Sequence, residues 1–267
     1  MEAPALFFRD GANFVATSFT CGPWDPAQTD GSSALALIAH CLDDVPSLVP
    51  MSTARFTVDL QRPVPVGRPL TVTTEITREG KKLQVVDAAI WADGQACVQA
   101  TALRLREADF SGNPIIPTGT TDDVPTRRIT PPEDSVHLRT LRPRDIGAIA
   151  AADLLYATRT DSQASATWVR LTTPVVAGEP TRTFARMAYA FDFVSLVGMS
   201  IDSGTVMMIN PDVNAQILRP AVGEWIALVG ETRVEAAHGR GMSYALASDE
   251  LGVFATLSSS QFVEPRG

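Results

Sequence analysis

Between Met207 and Trp225 the chain reads MMINPDVNAQILRPAVGEW, alternating Asn210, Asp212, Asn214 and Gln216 with Ile209, Pro211, Val213, Ala215 and Ile217. At the two-residue period of a strand, these four polar side chains share one face. Asn210 can hold a water or a carbonyl, but it cannot act as a nucleophile or exchange protons as a hydroxyl can. Asp212 faces the same way, with Arg219 and Arg55 as candidate ion-pair partners. Upstream, Asp192 lies in AYAFDFVSLVG, where any packing of the segment buries it. A carboxylate there must be paired, hydrogen-bonded or neutral. Burial raises its pKa towards the range useful to a general base for water. Gln261 follows Ser258-Ser259-Ser260. A buried amide at that point could accept from water and donate to a carboxylate at once, although strands routinely carry outward-facing glutamines.

Other chemistries find no motif. There is no GxSxG elbow, no GxGxxG or GxxxxGK[ST] loop and no HExxH pair. Cys21, Cys41 and Cys97 are odd in number and widely spaced, so reduced thiols are expected, with no metal and no cofactor. His40 lies on an apolar helix and reads as a core or interface residue. His137 and His238 suggest nothing specific. The net charge of −8 argues against a nucleic-acid partner. No run approaches the ~20 apolar residues of a membrane helix, and the N-terminus lacks a basic region followed by an apolar stretch. A cytoplasmic protein without membrane insertion is expected.

The elements that must position these residues repeat. Asp30 or Ser32 can cap a helix over SALALIAHCLDD, whose alanines suit close contact with a sheet. Four strands follow at Met51–Leu60, Leu70–Arg78, Leu83–Trp91 and Ala96–Arg106, separated by turn-like residues. Residues 107–135 turn polar and rich in Pro, Gly and Thr. The plan then recurs: a strand at Ala166–Thr172, a helix at Thr183–Asp202, and strands at Val206–Leu218, Trp225–Glu235, Gly241–Ser248 and Val253–Val263. The halves register at Arg62-Pro63 with Arg219-Pro220, Gly67 with Gly223, Glu75 with Glu231, and Asp93-Gly94 with Leu251-Gly252. The expected organisation is a first repeat at 1–106, a linker at 107–160 and a second repeat at 161–267, of α+β class.

A helix wrapped by a long antiparallel sheet, occurring twice, resembles the double hotdog fold. GPWDP…DGSSALAL, FTVDLQRPVPVG, EGKKLQVVDAAIWADGQ, INPDVNAQILRPAVGEW and SSQFVEPR resemble the acyl-CoA thioesterase II family, with the nearest likeness to its actinobacterial branch. The resemblance implies hydrolysis of acyl-CoA thioesters without metal or covalent intermediate. It also implies a site in the second half, where an Asp on the helix, a Thr or Ser on the next strand and a Gln on the last strand orient water.

Those positions fall on Asp192, Asn210 and Gln261, with Asn210 departing from the hydroxyl pattern. Related sequences often carry His-Gly-Gly where this chain has Asp30-Gly31-Ser32. Backbone N–H groups at Gly31 and Ser32 could bind a developing oxyanion, and Trp24 could line an acyl tunnel. The expected partner is an acyl-CoA or acyl-carrier substrate, with a homo-oligomer possible on the resemblance. Two alternatives stay open: a non-catalytic acyl-thioester-binding protein, and a hotdog dehydratase or tailoring enzyme acting on a carrier-bound acyl chain.

Overall fold

Two main helices lie against one long, mostly antiparallel sheet, with a third, five-residue helix at Gly147–Ala151. The computed structural model describes residues 4–23, 25–116, 125–138, 147–159, 165–198 and 205–265. The strands are β1 (Phe7–Asp10), β2 (Asn13–Ala16), β3 (Met51–Leu60), β4 (Pro69–Arg78), β5 (Leu83–Ala92), β6 (Gln95–Arg106) and β7 (Val136–His137). They continue as β8 (Ala152–Thr158), β9 (Ser165–Leu171), β10 (Val206–Ile209), β11 (Asp212–Ile217), β12 (Ile226–Glu235), β13 (Arg240–Asp249) and β14 (Gly252–Pro265). The sheet runs β1-β2-β4-β5-β6-β3-β11-β14-β13-β12-β9-β8-β7, with β10 also paired to β14.

The halves meet at β3 and β11, where Val58 faces Val213 and Phe56 faces Ala215. These four are buried. The alternate residues Asp212, Asn214 and Gln216 stand opposite Asp59, Thr57 and Arg55 on the other face. A period of two has therefore sorted this seam into an apolar inside and a polar outside.

Helix α1 (Gly31–Leu42) starts at Asp30, whose carboxylate accepts the Ser33 N–H at 3.1 Å. Every residue from Ser32 to Leu42 is buried except Cys41, as a helix enclosed on all sides must be. Helix α2 (Thr183–Phe191) packs against it, and Arg182 at its start pairs with Asp44 beyond the end of α1 at 2.6 Å. Alanines on both helices, Ala34, Ala36 and Ala39 on one and Ala185, Ala188 and Ala190 on the other, are buried in one core.

Three expectations are corrected. The first helix has the expected 12 residues, two positions earlier than read, but the second has 9 where Thr183–Asp202 was expected, of which 199–202 lie outside the described residues. Beyond Phe191 a 3-10 segment, Asp192–Leu196, replaces the expected continuation. Gly198 then takes φ +67°, and a Cβ there would lie 3.0 Å from the backbone of Glu231. Secondly, the strand expected across 206–218 breaks at Asn210-Pro211 into β10 and β11, because proline has no N–H to give a ladder.

Thirdly, the stretch read as a linker holds β8, which pairs with β9 from Ala152↔Leu171 to Thr158↔Ser165. Its apolar LLYA run is sheet material, and Ile129 of the same stretch joins Trp168, Ala227 and Val229 in a small second core. On β12, Ile226 and Leu228 face the main core while Ala227 and Val229 face this one.

The repeat landmarks survive in the backbone. Gly67 and Gly223 have φ of +71° and +72°, matching left-handed turns that glycine adopts without steric cost.

Candidate active site

Where α1 begins, it meets the end of α2, and two carboxylates gather there. Asp192 is the residue that closes α2 and opens the 3-10 segment. It is 8% exposed. Its Oδ1 accepts from Asn210 Nδ2 at 2.7 Å, and its carboxylate also accepts the Ser32 backbone N–H. The break at Pro211 is what frees Asn210 from the sheet ladder to reach inward. Asp212, Asn214 and Gln216 do not join it. Asp212 instead accepts from Asn214 Nδ2 and from the Ser260 N–H, both at 2.7 Å, and Arg219 pairs with Asp249 rather than with Asp212.

Gly31 is fixed by the same approach. A Cβ built on it would lie 2.5 Å from Asp192 Oδ1, so only glycine lets the carboxylate rest on the first turn of α1. Ser32 is buried, and its Oγ donates to Asp30 Oδ2 at 2.6 Å. The Ser32 hydroxyl and N–H are thus committed to Asp30 and Asp192. Trp24, expected along an acyl tunnel, lies outside the described residues.

The electrostatics follow from this crowding. Burial and then the neighbouring Asp30 carboxylate push Asp192 up to about 7, against the lowering effect of its Asn210 and Ser32 bonds. Burial likewise pushes Asp30 up to about 6, against its Ser32 and Ser33 bonds. The pair thus titrates near neutrality and is best treated as a coupled unit. The positive end of the α1 dipole offsets part of the repulsion. Tyr189, buried one helical turn before Asp192, shares a hydrogen bond with the Ser32 side chain, and burial with both carboxylates holds its hydroxyl well above the usual pKa. Asp192 can hold or release a proton near neutral pH, which is what activation of water requires.

Gln261 lies on the last strand, and a chain of hydroxyls, Ser243 and then Thr232, links it to Val197 at the end of the 3-10 segment. It is 3% exposed on β14, opposite Gly241 of β13. Its Nε2 bonds the hydroxyls of Ser243 and Ser259, each at 3.3 Å. No hydrogen bond links it to Asp192 among the described residues, and its Oε1 is buried without a partner there.

At the corresponding place of the first half stands a histidine, His40, paired with Glu179 from the second half. Counted from the helix caps Asp30 and Arg182, His40 and Asp192 each lie ten residues on. His40 is buried with Nε2 2.9 Å from Glu179 Oε2, and Glu179 also binds Arg9. This agrees with a core or interface histidine.

Sequence reasoning missed Tyr189, Thr232, Ser243 and Ser259. Tyr189 stands three residues before Asp192, the spacing of one helix face. The serines depend on hairpin register, for which a single strand gives no signal. Among the described residues no cluster of three or more His, Cys, Asp or Glu side chains is arranged to hold a metal ion. No helix among them is long and apolar enough to cross a membrane.

Comparison with known proteins gives a consistent answer. The profile of the acyl-CoA thioesterase N-terminal domain matches residues 20–105, and that of the acyl-CoA thioesterase C-terminal domain matches residues 122–261. No curated protein matches the chain. Among solved structures, a candidate thioesterase from Novosphingobium aromaticivorans DSM 12444 is similar with a TM-score of 0.71 at 18% identity, over 96% of this chain and 98% of that one. A conserved protein with hot dog fold from Alicyclobacillus acidocaldarius gives a TM-score of 0.70 at 14% identity, over 98% of this chain and 96% of that one. Acyl-CoA thioesterase II TesB2 from Mycobacterium marinum gives 0.67 at 12%, over 96% and 93%. These likenesses establish the α+β hotdog fold. With both domain profiles matched in order, the chain belongs to the acyl-CoA thioesterase family and is a thioesterase.

Proposed function

We propose that the protein hydrolyses acyl-CoA thioesters with a water activated by Asp192. The observation that carries this reading is the buried Asp192 carboxylate, held by Asn210 at 2.7 Å and seated on Gly31. Water gives a proton to Asp192 as its oxygen bonds the thioester carbonyl carbon. Collapse of the tetrahedral intermediate breaks the C–S bond, and the proton passes from Asp192 to the departing sulfur. The products are a carboxylic acid and the free thiol.

Asn210 orients the carboxylate in this scheme, and its own side-chain oxygen remains an acceptor for water. Gln261 supplies a second acceptor. Gly31 and Ser32 cradle the carboxylate. Asp30 sets the proton affinity of Asp192 and does not touch the substrate. The acyl carrier is read as coenzyme A from the family profiles.

Turnover of acyl-CoAs of graded chain length, followed by thiol release, tests the proposal. The parent should release thiol with at least one length, and Asp192→Ala should not. Equal rates from the two proteins would remove Asp192 from the mechanism.

A further inference from the structure

The direction in which Gln261 points its amide is dictated by hydroxyls around it. Thr232 Oγ1 lies 2.6 Å from the carbonyl oxygen of Val197, which can only accept. Thr232 therefore uses its one proton there. Ser243 Oγ is 2.7 Å from the Thr232 hydroxyl, so the proton between them belongs to Ser243. With that proton engaged, Ser243 can only accept from Gln261, 3.3 Å away.

Ser259 reaches the same answer independently. Its hydroxyl donates to the Ser260 carbonyl at 3.0 Å, and its lone pair takes the other amide proton of Gln261 at 3.3 Å. Both serines are buried, and so is the glutamine. The NH2 end of Gln261 is thus saturated, and Oε1, buried without a partner among the described residues, is left as an acceptor only. Buried polar groups of this number are costly unless their bonds are made. One acceptor left over at the end of a fully directed chain marks a place for a donor.

We propose that Thr232, Ser243 and Ser259 are positioning residues that lock Gln261 as a pure acceptor for an O–H of the water used in hydrolysis. The lock is tied to Val197, which closes the 3-10 segment that Asp192 opens, so one short segment carries the base and anchors the acceptor. With one water hydrogen directed to Gln261 and the other to Asp192, an oxygen lone pair is left for the thioester carbon. This rests on the hydrolytic reading above, and its test separates the two.

The experiment uses the intact protein in two measurements. The first is solvent exchange of the Gln261 side-chain amide protons in 15N-labelled protein, assigned by their loss in Gln261→Glu. They should exchange slowly in the parent and rapidly in Ser243→Ala. The second is steady-state hydrolysis of an acyl-CoA. Ser243→Ala and Thr232→Val should lower kcat about tenfold to hundredfold with KM unchanged, the loss expected when a buried hydrogen bond that aims a reacting group is removed. Thr232→Ser, which keeps the hydroxyl, should restore kcat.

Unprotected Gln261 amide protons in the parent would overturn the lock, as would full kcat in Ser243→Ala and Thr232→Val. Absence of turnover by a parent whose Gln261 amide is protected would instead count against hydrolysis and leave the lock standing.

Discussion

Asn210 donates through Nδ2 to Oδ1 of Asp192 at 2.7 Å, joining a break in the sheet to the end of α2. This bond favours the ionised carboxylate and opposes burial, which pushes Asp192 up to about 7. Asn210→Ala should therefore raise the apparent pKa governing kcat by about one unit, given that hydrogen bonds to charged groups are worth about 1.5–3 kcal/mol. A pH–rate profile checks this. In the parent, activity should rise with pH through about 7, the value to which Asp192 is pushed. An unmoved midpoint in Asn210→Ala would mean that the bond does not tune the base.

Asp192→Asn should cost about 10²–10⁴ in kcat, the usual contribution of a general base. The same change should alter stability in the opposite sense. Asp192 has an ordinary pKa of 3.8 and is raised to about 7 in the fold, so the native state binds its proton more tightly than the unfolded chain. Stability from this group is fully present below 3.8 and is lost as pH rises through about 7. Asp192→Asn should then melt higher than the parent at pH 8 and not at pH 4. For a chain of this size each kcal/mol corresponds to ~2–4 °C.

Gly31→Ala places a methyl carbon 2.5 Å from Asp192 Oδ1. Either the carboxylate or the helix start must move. Overpacking of this kind typically costs about 1–3 kcal/mol, and kcat should fall at least tenfold because the base is displaced. Denaturant melts and steady-state rates read the two effects. A fully active, fully stable Gly31→Ala protein would show that the close approach has no role.

His40 and Glu179 should behave as structure. Removing the histidine leaves Glu179 with Arg9 and exposes a buried gap beside α1. His40→Ala should lower stability by about 1–3 kcal/mol, while kcat on acyl-CoA stays within about twofold of the parent. Thiol release alongside thermal melting would separate these outcomes, and a large loss of kcat in a well-folded variant would give His40 itself a share in the chemistry.

Arg219 holds Asp249 through two bonds of 2.6 and 2.7 Å, and Asp249 is 1% exposed. Although burial works to raise its pKa, Arg219 and the N–H groups of Val222 and Leu251 keep Asp249 below the usual range. The stability it confers is present above the unfolded pKa and is lost as pH falls through the folded one. Arg219→Ala leaves that carboxylate without its cation and should cost about 3–5 kcal/mol. Urea unfolding at neutral pH gives the size directly.

The alternation of polar and apolar residues carried the fold because most strands face one buried core, and a period of two reports that; β12, which has a core on each side, is apolar throughout its first half. Turn glycines were equally legible: Gly67 and Gly223 occupy matching left-handed positions. Element ends were less so. The run through Phe191 looks helical on composition, yet the chain tightens to a 3-10 turn that ends at Leu196, and Gly198 beyond it abuts the backbone of Glu231. That contact comes from a strand distant in sequence. Asp192 stood out as a charge in an apolar run, whereas Asp30 reads locally as a helix cap, which it is. Its second effect, on the proton affinity of Asp192, arises only because α2 ends where α1 begins. Ser243 and Ser259 are paired by register between β13 and β14, a property of two strands at once.

His40 and Asp192 occupy equivalent helical positions in the two halves, yet one binds a surface glutamate and the other lies among carboxylates. In a dimer of identical chains, any change at such a position would appear twice. Fusing the copies into one polypeptide lifts that constraint, so reactivity and cohesion can drift apart. The position held by His40 can serve cohesion alone, leaving the position of Asp192 free to keep an ionisable group in a place that destabilises it.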